Sequence, residues 1–336
     1  MKITLVHISD IHIRTANDAI LANARLIAAA AAPTAANSAY VFIVVTGDIA
    51  FSGKAEEYAV ARQFLEGIRD SLLKECQRPL YFVVVPGNHD CNFDLDTGTR
   101  RNNLRHILSS PTPEIDESVI DSCLSVQKPF QDFRRTIETF SPKFDDGLWT
   151  THIFDVAGKR IAFECLNLSW TSQLDEMPGK LVFPYDRYQH MPQDDVDVRI
   201  AVLHEPFNWL AQTSYRPLRN LVRKVSDIVF TGHEHSGNVG IVDDASSGRS
   251  AFVEGCAIQE HNDDLRSSAF NVVVIDTQTS RFSVSRYSCC LLPATIAVSR
   301  PLSGHRWTHA KTPGRLAQTW SVWRGLFEQI RQEAAV

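Results

Sequence analysis

The feature that most constrains the fold is an apolar run that stops at a Pro-Gly pair and is followed at once by polar residues. Tyr81–Val85 is rich in β-branched residues, which predicts a buried strand, and Pro86-Gly87 ends it. Asn88-His89-Asp90 then follows the carboxyl end of that strand. Ligand sites in open α/β sheets collect at the carboxyl ends of strands. The sequence therefore predicts a ligand site at this point of the chain.

The residues before this strand alternate between strand and helix patterns. Such an order predicts parallel strands that are joined by crossover helices. The predicted elements are, in order, a strand over Ile3–Ile8, an Ala-rich helix over residues 17–31 that Pro33 and Asn37 break, a strand over Tyr40–Val45 and a helix over residues 54–75.

Residues 91–146 depart from this alternation. Two weakly amphipathic pieces, roughly residues 100–109 and 117–140, predict helices among several prolines. An insertion directly after a ligand-bearing strand would lie over the site like a lid. The same pattern also suits ordinary core packing through its apolar residues, Phe130, Phe133, Ile137 and Phe140. The sequence leaves both interpretations open.

The second half of the chain is richer in strand patterns. Thr151–Val156 and Arg160–Leu166 flank Ala157-Gly158-Lys159 and predict a hairpin. Parallel α/β units followed by a run of strands predict an α/β fold of two packed sheets with helices outside. The later predicted elements are a strand over Val198–Leu203, a helix near residues 216–225, a strand over Ile228–Phe230 and four successive antiparallel strands over Val239–Val242, Ala251–Val253, Phe270–Ile275 and Phe282–Tyr287.

The end of the chain differs from the domain that precedes it. We divide the sequence into a main domain, residues 1–287, and a basic tail, residues 288–336. Residues 281–336 hold eight Lys or Arg against two Glu. From Arg315 onward one apolar stripe predicts an amphipathic helix. That helix either packs on its own domain or contacts a second copy, a protein partner or nucleic acid.

Charge and cysteine content narrow the class of protein. A net charge of −5 gives no overall attraction to nucleic acid or an anionic membrane. The seven cysteines show no CxxC or zinc-finger spacing, which favours reduced thiols. The chain opens on a strand without a signal-peptide pattern, and we find no apolar run near the ~18 residues that span a bilayer. We therefore expect a cytoplasmic protein without a membrane partner.

Five apolar strands end in residues that can bind metals. Oxygen and imidazole donors in this mixture suit Mn²⁺, Fe or Zn²⁺, and the lack of thiolates argues against a structural zinc site. Seven candidate ligands are too many for one tetrahedral ion and fit two ions if one carboxylate bridges. Taken singly, each residue could equally be a turn former or a core histidine. The strand-end sets are Asp10-x-His12, Gly47-Asp48, Gly87-Asn88-His89-Asp90, His204 and Gly232-His233-x-His235.

This ordered set of motifs resembles the calcineurin-like metallophosphoesterases over roughly residues 1–287. The resemblance implies a four-layer α/β/β/α sandwich of two mixed sheets and a dinuclear site, with Mn or Fe expected first and Zn next. It also implies a phosphoric ester hydrolase in which a metal-activated hydroxide attacks the phosphorus. The residue roles that it implies are Asp10, His12 and His235 on one metal, Asn88, His204 and His233 on the other, Asp48 bridging, and His89 acting on the substrate.

Three residues have expected roles beside the metals. His89 can supply a proton to the leaving oxygen, and general-acid help of this kind contributes typically ~10²–10⁴-fold. Asp90 is a candidate for the residue that orients a ligand histidine from behind. Arg14 either reaches a phosphate or is a solvated surface residue.

The resemblance also favours one branch of the family. The segment from Thr46 to Gly53, followed by Glu57-Tyr58, looks like the cyclic-nucleotide phosphodiesterases. It lacks the Asp-Arg-Gly of protein Ser/Thr phosphatases and the acidic sequence that repair nucleases carry after Gly-Asp. One departure concerns the substrate: the chain has His204-Glu205-Pro206 where those phosphodiesterases often have His-His-Pro.

Three functions are therefore carried forward from the sequence. The first is a phosphodiesterase that acts on a nucleotide, cyclic nucleotides included. The second is a metal-dependent nuclease or nuclease subunit, and the third is a non-enzymatic docking scaffold. Aromatic residues in the loop after the hairpin would stack a base under the first or simply pack: Trp170, Tyr185 and Tyr188.

Overall fold

The computed structural model describes residues 1–110, 113–191, 194–244, 248–259, 268–288 and 300–301. Its helices are α1 (Ala24–Ala36), α2 (Ala55–Cys76), α3 (Gly98–Ser109), α4 (Glu117–Leu124), α5 (Lys128–Ile137) and α6 (Gln212–Val225). Its strands are β1 (Lys2–Ile8), β2 (Tyr40–Thr46), β3 (Leu80–Val85), β4 (Phe144–Asp145), β5 (Trp149–Val156), β6 (Lys159–Leu166), β7 (Val198–Val202), β8 (Ile228–Thr231), β9 (Val239–Asp244), β10 (Gly248–Glu254), β11 (Ala269–Asp276), β12 (Arg281–Ser288) and β13 (Arg300–Pro301).

These strands form two mixed sheets. The first sheet has the order β13-β12-β11-β1-β2-β3, and the second has the order β4-β5-β6-β7-β8-β10-β9. In the first sheet β1, β2 and β3 are parallel, as their crossover helices require. In the second sheet β6, β7 and β8 are parallel, so the carboxyl ends of the central strands of each sheet lie at one edge.

Alternating apolar residues divide the interior into three cores. Along β2, Val41, Ile43 and Val45 face the helices α1, α2 and α5, whereas Phe42 and Val44 face the second sheet. A third core lies between the second sheet and α3, α4 and α6. Since each sheet is apolar on both faces, it is covered on both sides. The four-layer α/β/β/α arrangement predicted from the sequence is confirmed.

The helical insertion packs as part of the cores. Phe130, Phe133 and Ile137 of α5 are buried against the first sheet and α2. Leu104 of α3 and Ile120 of α4 are buried against the second sheet. The helix expected over residues 117–140 is divided by a short 3-10 turn before α5. These apolar residues of the insertion therefore pack in the cores and do not form a lid over the site.

Two local predictions were wrong. Pro33 does not end the first helix, which continues to Ala36 because a proline near the helix end removes only one backbone hydrogen bond. The last four strands form two antiparallel pairs, β9 with β10 and β11 with β12, and not the single antiparallel series that was predicted. β10 is parallel to β8, and β11 joins the first sheet beside β1. Periodicity indicates that a strand exists, but it does not indicate which sheet the strand joins.

The stretch Ala19–Ala36 also corrects the expectation about apolar runs. It is long and apolar enough to cross a membrane by length and composition, although half of it is buried inside the fold. A core helix meets the same criterion, and α1 packs against α2 and β1. Location in the cytoplasm stays a prediction. The amphipathic helix expected from Arg315 lies outside the described residues.

Candidate metal centre

The candidate ligands come from strand ends of both sheets and converge at one place. The segments that follow β1 and β2 are joined by backbone hydrogen bonds. The amides of Ile11 and His12 donate to the Asp48 carbonyl at 2.8 and 2.9 Å. The second sheet is tied to this edge by the His204 ring, whose Nδ1 lies 2.6 Å from the Thr46 carbonyl oxygen. A carbonyl only accepts, so Nδ1 carries a proton and Nε2 is the ring nitrogen turned toward the site.

Two groups of donor atoms form around Asp10 and Asp48. In one group His235 Nε2 lies 3.4 Å from Asp10 Oδ1, and His12 completes the set. In the other, His204 Nε2 lies 3.3 Å from Asp48 Oδ2, and His233 completes the set. Within each set the donor atoms lie within 4.8 Å of one another.

Further contacts link the two groups. His233 Nδ1 lies 3.1 Å from Asn88 Oδ1 and 3.2 Å from His204 Nε2, so these three side chains face one point. His12 Nε2 lies 3.9 Å from Asp48 Oδ2. Asp48 also forms a third donor set with His12 and His89. The structure thus brings together all seven candidate ligands, with Asp48 between the two groups.

Backbone strain is concentrated at these residues. Asp10, His12, Asp48, His233 and His235 all have φ between 50° and 71°, the left-handed region that non-glycine residues seldom adopt. Such conformations cost of order 1–3 kcal/mol each and cluster at functional sites. Each one turns a side chain back over the sheet edge instead of along the strand.

At two of the three motif glycines, a neighbouring atom lies too close to leave room for a side chain. This lack of space, and not the backbone conformation of a turn, explains why glycine is needed there. A Cβ on Gly87 would lie 2.2 Å from Asp48 Oδ1, and a Cβ on Gly232 would lie 2.1 Å from Ser9 Oγ. Neither has a positive φ; among the three motif glycines only Gly47 does, at 81°. The sequence indicated the importance of these glycines, but space is the reason at Gly87 and Gly232.

Electrostatics favour charged carboxylates at the centre. Burial raises the pKa of Asp48, but the charge and hydrogen bond of His204 outweigh it and hold that pKa well below the ordinary value. Burial opposes the charged form of His204 too, yet Asp48 raises its pKa well above the ordinary value. Burial and the His204 charge lower the pKa of His233 to about 4. Ionised carboxylates and neutral imidazoles are the forms that bind metals, so a cation at this centre would displace the second ring proton of His204.

His89 lies beside this cluster with one nitrogen fixed. Its Nδ1 donates to the Phe51 carbonyl oxygen at 2.7 Å, and its backbone amide donates to Asp48 Oδ1 at 2.9 Å. Its ring centroid is 4.7 Å from that of His12. The Nε2 atom is therefore the one available for chemistry.

Asp90 has partners different from the histidine that the sequence suggested. Its buried carboxylate accepts from the amides of Ala50 at 3.0 Å and Gly87 at 2.9 Å, and from the Tyr58 hydroxyl at 2.8 Å. The Ile49 amide adds a contact at 3.2 Å. Burial and then Asp48 raise the pKa of Asp90 to about 6. Asp90 thus braces the backbone on either side of the strand ends that carry Asp48 and Asn88.

Three residues with roles at this centre were missed by sequence reasoning. Phe51 is 36% exposed and supplies the carbonyl that orients His89. Trp209 stacks edge-on against His233, with ring centroids 4.1 Å apart, and its indole N–H donates to Glu234 at 3.0 Å. Ser9 donates to Asp10. The sequence signal for Phe51 was its type and place, an aromatic residue three positions after Asp48.

The aromatic residues expected to stack a base are part of the core. Trp170 is fully buried and donates to the Val182 carbonyl at 2.7 Å. Tyr188 is 2% exposed and donates to Asp146 at 2.7 Å, while Tyr185 packs against the same core. Packing is therefore the role of Trp170 and Tyr188, because both side chains are buried.

Two other sequence features have a clear place near the centre. The guanidinium of Arg14 lies 3.7 Å from the centroid of the Phe51 ring at the surface. Glu205, which follows His204, is fully buried and accepts from the Ser169 hydroxyl. Burial raises the pKa of the Glu205 carboxyl to about 8, although the His204 charge opposes the rise.

The donor set suits divalent cations. Among the described residues no group donates a hydrogen bond to the buried Asp10 Oδ1, although His235 Nε2 lies 3.4 Å from it. The other oxygen of Asp10 accepts from Ser9 and from the His233 amide. A buried carboxylate oxygen without a hydrogen bond is unfavourable, and a cation would satisfy it. Carboxylate, amide and imidazole donors without thiolate match borderline and hard metals. The residues present therefore fit a metal centre.

The fold and this centre define a metal-dependent phosphoester hydrolase. A sequence profile described as calcineurin-like phosphoesterase matches residues 3–237, more than two thirds of the 336-residue chain. The chain belongs to the calcineurin-like phosphoesterase family, which is typically dinuclear-metal-dependent. No match was found among curated proteins.

Two solved structures that the chain matches are remote from it in sequence. One is a predicted phosphoesterase from Streptococcus pneumoniae, at 12% identity over 86% of this chain and 90% of that one, with a TM-score of 0.31. Another is the structure of PhoD, at 9% identity over 99% of this chain and 77% of that one, with a TM-score of 0.47. The family assignment rests on the sequence match.

Proposed function

We propose that this chain is a two-metal phosphodiesterase that hydrolyses a phosphodiester bond of a small nucleotide, with cyclic nucleotides as the first candidates. The observation that carries the proposal is that Asp48 belongs to two donor sets at once, one with His204 and His233 and one with His12 and His89. A carboxylate shared in this way suits a pair of cations better than a single one.

The proposed division of ligands follows the distances. Asp10, His12 and His235 would hold one cation, because their donor atoms form one set. His204 and His233 would hold the other with Asn88, whose Oδ1 lies 3.1 Å from His233 Nδ1. Asp48 would contact both cations. Mn²⁺ or Fe is the first choice of metal, and Zn²⁺ is the next.

The bound cations would supply positive charge for the phosphoryl oxygens and lower the pKa of water. The protein's own residues would orient the substrate and move the proton of the leaving oxygen. His89 is proposed for that proton, because the Phe51 carbonyl holds its Nδ1–H and leaves Nε2 toward the site. The hydrogen bond from the His89 backbone amide to the Asp48 carboxylate keeps the ring next to the centre.

A nucleotide substrate is supported by the surface next to His89. Phe51 is an exposed aromatic residue whose ring centroid is 5.4 Å from that of His89. Aromatic faces at such a position stack nucleobases, a contact worth about 1–3 kcal/mol per base. Arg14 covers one face of this ring, and its guanidinium could pair with a phosphate from the same place.

The proposal is tested by hydrolysis of bis-p-nitrophenyl phosphate with added Mn²⁺, followed by a panel of cyclic nucleotides, single strands and duplexes. Asp48→Ala should reduce the rate to the level seen without metal. His89→Ala should retain metal binding and lose about 10²–10⁴-fold in rate. His106→Ala changes an exposed histidine of α3 and should behave like the wild type.

Two results would contradict the proposal. One is a folded, Mn²⁺-loaded protein that is inert toward every phosphodiester while it hydrolyses a monoester. The other is activity in Asp48→Ala equal to that of the wild type. The nuclease and docking alternatives depended on the C-terminal residues, most of which lie outside the described part of the chain. Both alternatives stay predictions.

A further inference from the structure

A cavity of about 190 Å³ lies between α6 and the outer face of the second sheet. It is larger than the share of one water, roughly 30 Å³, and smaller than the roughly 300–1,000 Å³ of sites for drug-sized ligands. None of the candidate metal ligands lines it. Its size suits a small ion or a small organic molecule.

Two arginines of α6 line this cavity, and neither forms an ion pair with a carboxylate of the described residues. The charge of Asp244 acts on Arg223 from beyond ion-pair distance. Arg219 and Arg223 are four residues apart and so lie on one face of the helix. Arg219 donates to the Tyr215 hydroxyl at 3.0 Å and to Asn220 at 3.3 Å. No carboxylate lies within 4.0 Å of either guanidinium among the described residues. Burial and the charge of Arg219 lower the pKa of Arg223.

Unpaired polar atoms line the same cavity. Thr231 is 5% exposed, and its hydroxyl has no hydrogen-bond partner within the described part of the chain. Phe230 faces the core between the sheets, so Val229 and Thr231 face α6 and the cavity. Arg219 Nε is also buried without a partner. Buried polar atoms without partners are uncommon in native proteins, and a bound ligand would satisfy these.

The two ends of the cavity differ in charge. β7 and β8 are parallel, so α6 runs back along the sheet and brings Arg223 toward the start of β8. Glu254 also lines the cavity and is paired in register with Thr231, at the end of β8. Glu254 is therefore at the end away from Arg223, and Asp244, whose charge acts on Arg223, does not line the cavity. An anionic group of a ligand suits the arginine end of the cavity, and hydroxyl groups of a ligand suit the end at Glu254 and Thr231.

We propose that this cavity binds the phosphate oxyanion of a small ligand, with the phosphate held by Arg219 and Arg223. The planar guanidinium matches phosphate oxygens with paired hydrogen bonds, which a point charge cannot do. The phosphate comes either from free phosphate or from a small hydroxylated phosphate monoester, whose hydroxyl groups would reach Thr231. This site is separate from the metal centre and does not depend on its function.

The test is titration calorimetry on the full chain at constant ionic strength, with inorganic phosphate and with glycerol 1-phosphate as probes. Measurements are made with Mn²⁺ and again after chelation, since the cavity needs no metal. We expect saturable binding that persists after chelation. Arg219→Gln combined with Arg223→Gln should weaken it at least tenfold, and Thr231→Val should weaken it severalfold. The probe that binds tighter identifies the source of the phosphate.

Arg216→Gln is the matched control, because Arg216 is an exposed arginine of the same helix. It should bind as the wild type does. If the double variant fails to fold, as judged by circular dichroism, Arg223→Gln alone serves the same purpose. Absence of saturable binding in the chelated wild type would overturn the proposal, as would unchanged affinity in the arginine variants. Hydrolysis of bis-p-nitrophenyl phosphate, measured separately, reports on the metal centre and not on this cavity.

Discussion

At Gly87 a single methyl group would occupy space that the metal centre already uses. The added Cβ would lie 2.2 Å from Asp48 Oδ1 and 2.7 Å from His204 Cδ2. Gly87→Ala should therefore displace Asp48, lower the affinity for Mn²⁺ and destabilise the fold by about 1–3 kcal/mol, as overpacking does. Metal titration and urea unfolding measure the two effects.

The control for that substitution is another glycine with room for a methyl group. Gly67 lies inside α2, and its Cβ would meet only the Ala24 side chain at an ordinary 3.6 Å. Gly67→Ala should leave metal binding unchanged and stabilise the helix by roughly 0.5–1 kcal/mol. Equal metal affinity in Gly87→Ala and Gly67→Ala would contradict the close-approach explanation.

A substitution at Asp90 tests whether the backbone beside the metal ligands must be held by hydrogen bonds to this carboxylate. The Asp90 carboxylate accepts from four donors, three amides and the Tyr58 hydroxyl. Asp90→Asn would turn an amide NH₂ toward one of these donors, so we expect a loss of about 1–3 kcal/mol in unfolding free energy. We also expect metal affinity to fall about 10–100-fold, the usual effect of removing a supporting partner.

Tyr58→Phe separates bracing from packing. It removes one of the four donors and keeps the ring, which stacks on Phe133 at 5.1 Å. A smaller loss, about 0.5–1.5 kcal/mol, is expected, with metal affinity nearly unchanged. Metal affinity equal to the wild type in both Asp90→Asn and Tyr58→Phe, measured by calorimetry, would argue that Asp90 has no part in positioning Asp48.

Among the elements, the segment after α5 contains a buried acid that makes stability depend on pH. Glu138 is the residue that caps the end of α5, and it accepts from the Val84 amide at 3.1 Å. Burial raises the pKa of its carboxyl to about 7, although Arg134 opposes the rise. His152 lies 3.7 Å away, and burial lowers the pKa of its ring to about 4.

The sign of the pH effect follows from proton binding. Between the unfolded value near 4.5 and the folded value near 7, the folded state binds more protons at Glu138, so its contribution to stability falls as pH rises. His152 acts oppositely, since its lowered pKa costs stability as pH falls below 6.5. The two slopes oppose each other in the wild type, and only a variant separates them.

Glu138→Gln should remove the part of the pH dependence of stability that comes from the Glu138 carboxyl. Relative to the wild type, the variant should gain stability between pH 5 and pH 8 by an amount on the order of 3 kcal/mol, at 1.36 kcal/mol per pKa unit. Urea unfolding at the two pH values measures this difference. Glu75→Gln, at an exposed position of α2, is the control. The same pH dependence in Glu138→Gln and the wild type would refute the assignment.

At the scale of the whole molecule, the metal centre joins the two sheets. Asp10, Asp48 and Asn88 follow strands of the first sheet, whereas His204 and His233 follow strands of the second. Cations bound between them would hold both sheet edges in the folded state only. Binding to the folded state raises stability by about 2.7 kcal/mol when the metal concentration is 100-fold above Kd.

Thermal unfolding with Mn²⁺ and with a chelator should therefore differ. We expect a higher Tm with Mn²⁺, and a rise that grows with the metal concentration. In Asp48→Ala the rise should be strongly reduced, because the shared carboxylate is missing. A Tm that is the same with Mn²⁺ and with chelator would show that the ions do not bind the folded chain.

The sequence alone determined the four layers and the set of metal-competent residues. Both are local properties, since strand alternation follows from neighbouring residues and ligand type follows from side-chain chemistry. Residues such as Asp10 and His235 could be recognised together because each follows its own apolar strand in a fixed order.

Only the tertiary structure decided how distant segments meet. The pairing of β10 with β8, the bracing of the Asp48 loop by Asp90 and the orientation of His89 by the Phe51 carbonyl all depend on distances across the fold. The burial of Trp170 and the position of Arg219 and Arg223 beside the cavity depend on the same packing. Contacts of this kind carry no periodic or motif signal, because they are set by the shape of the assembled sheets.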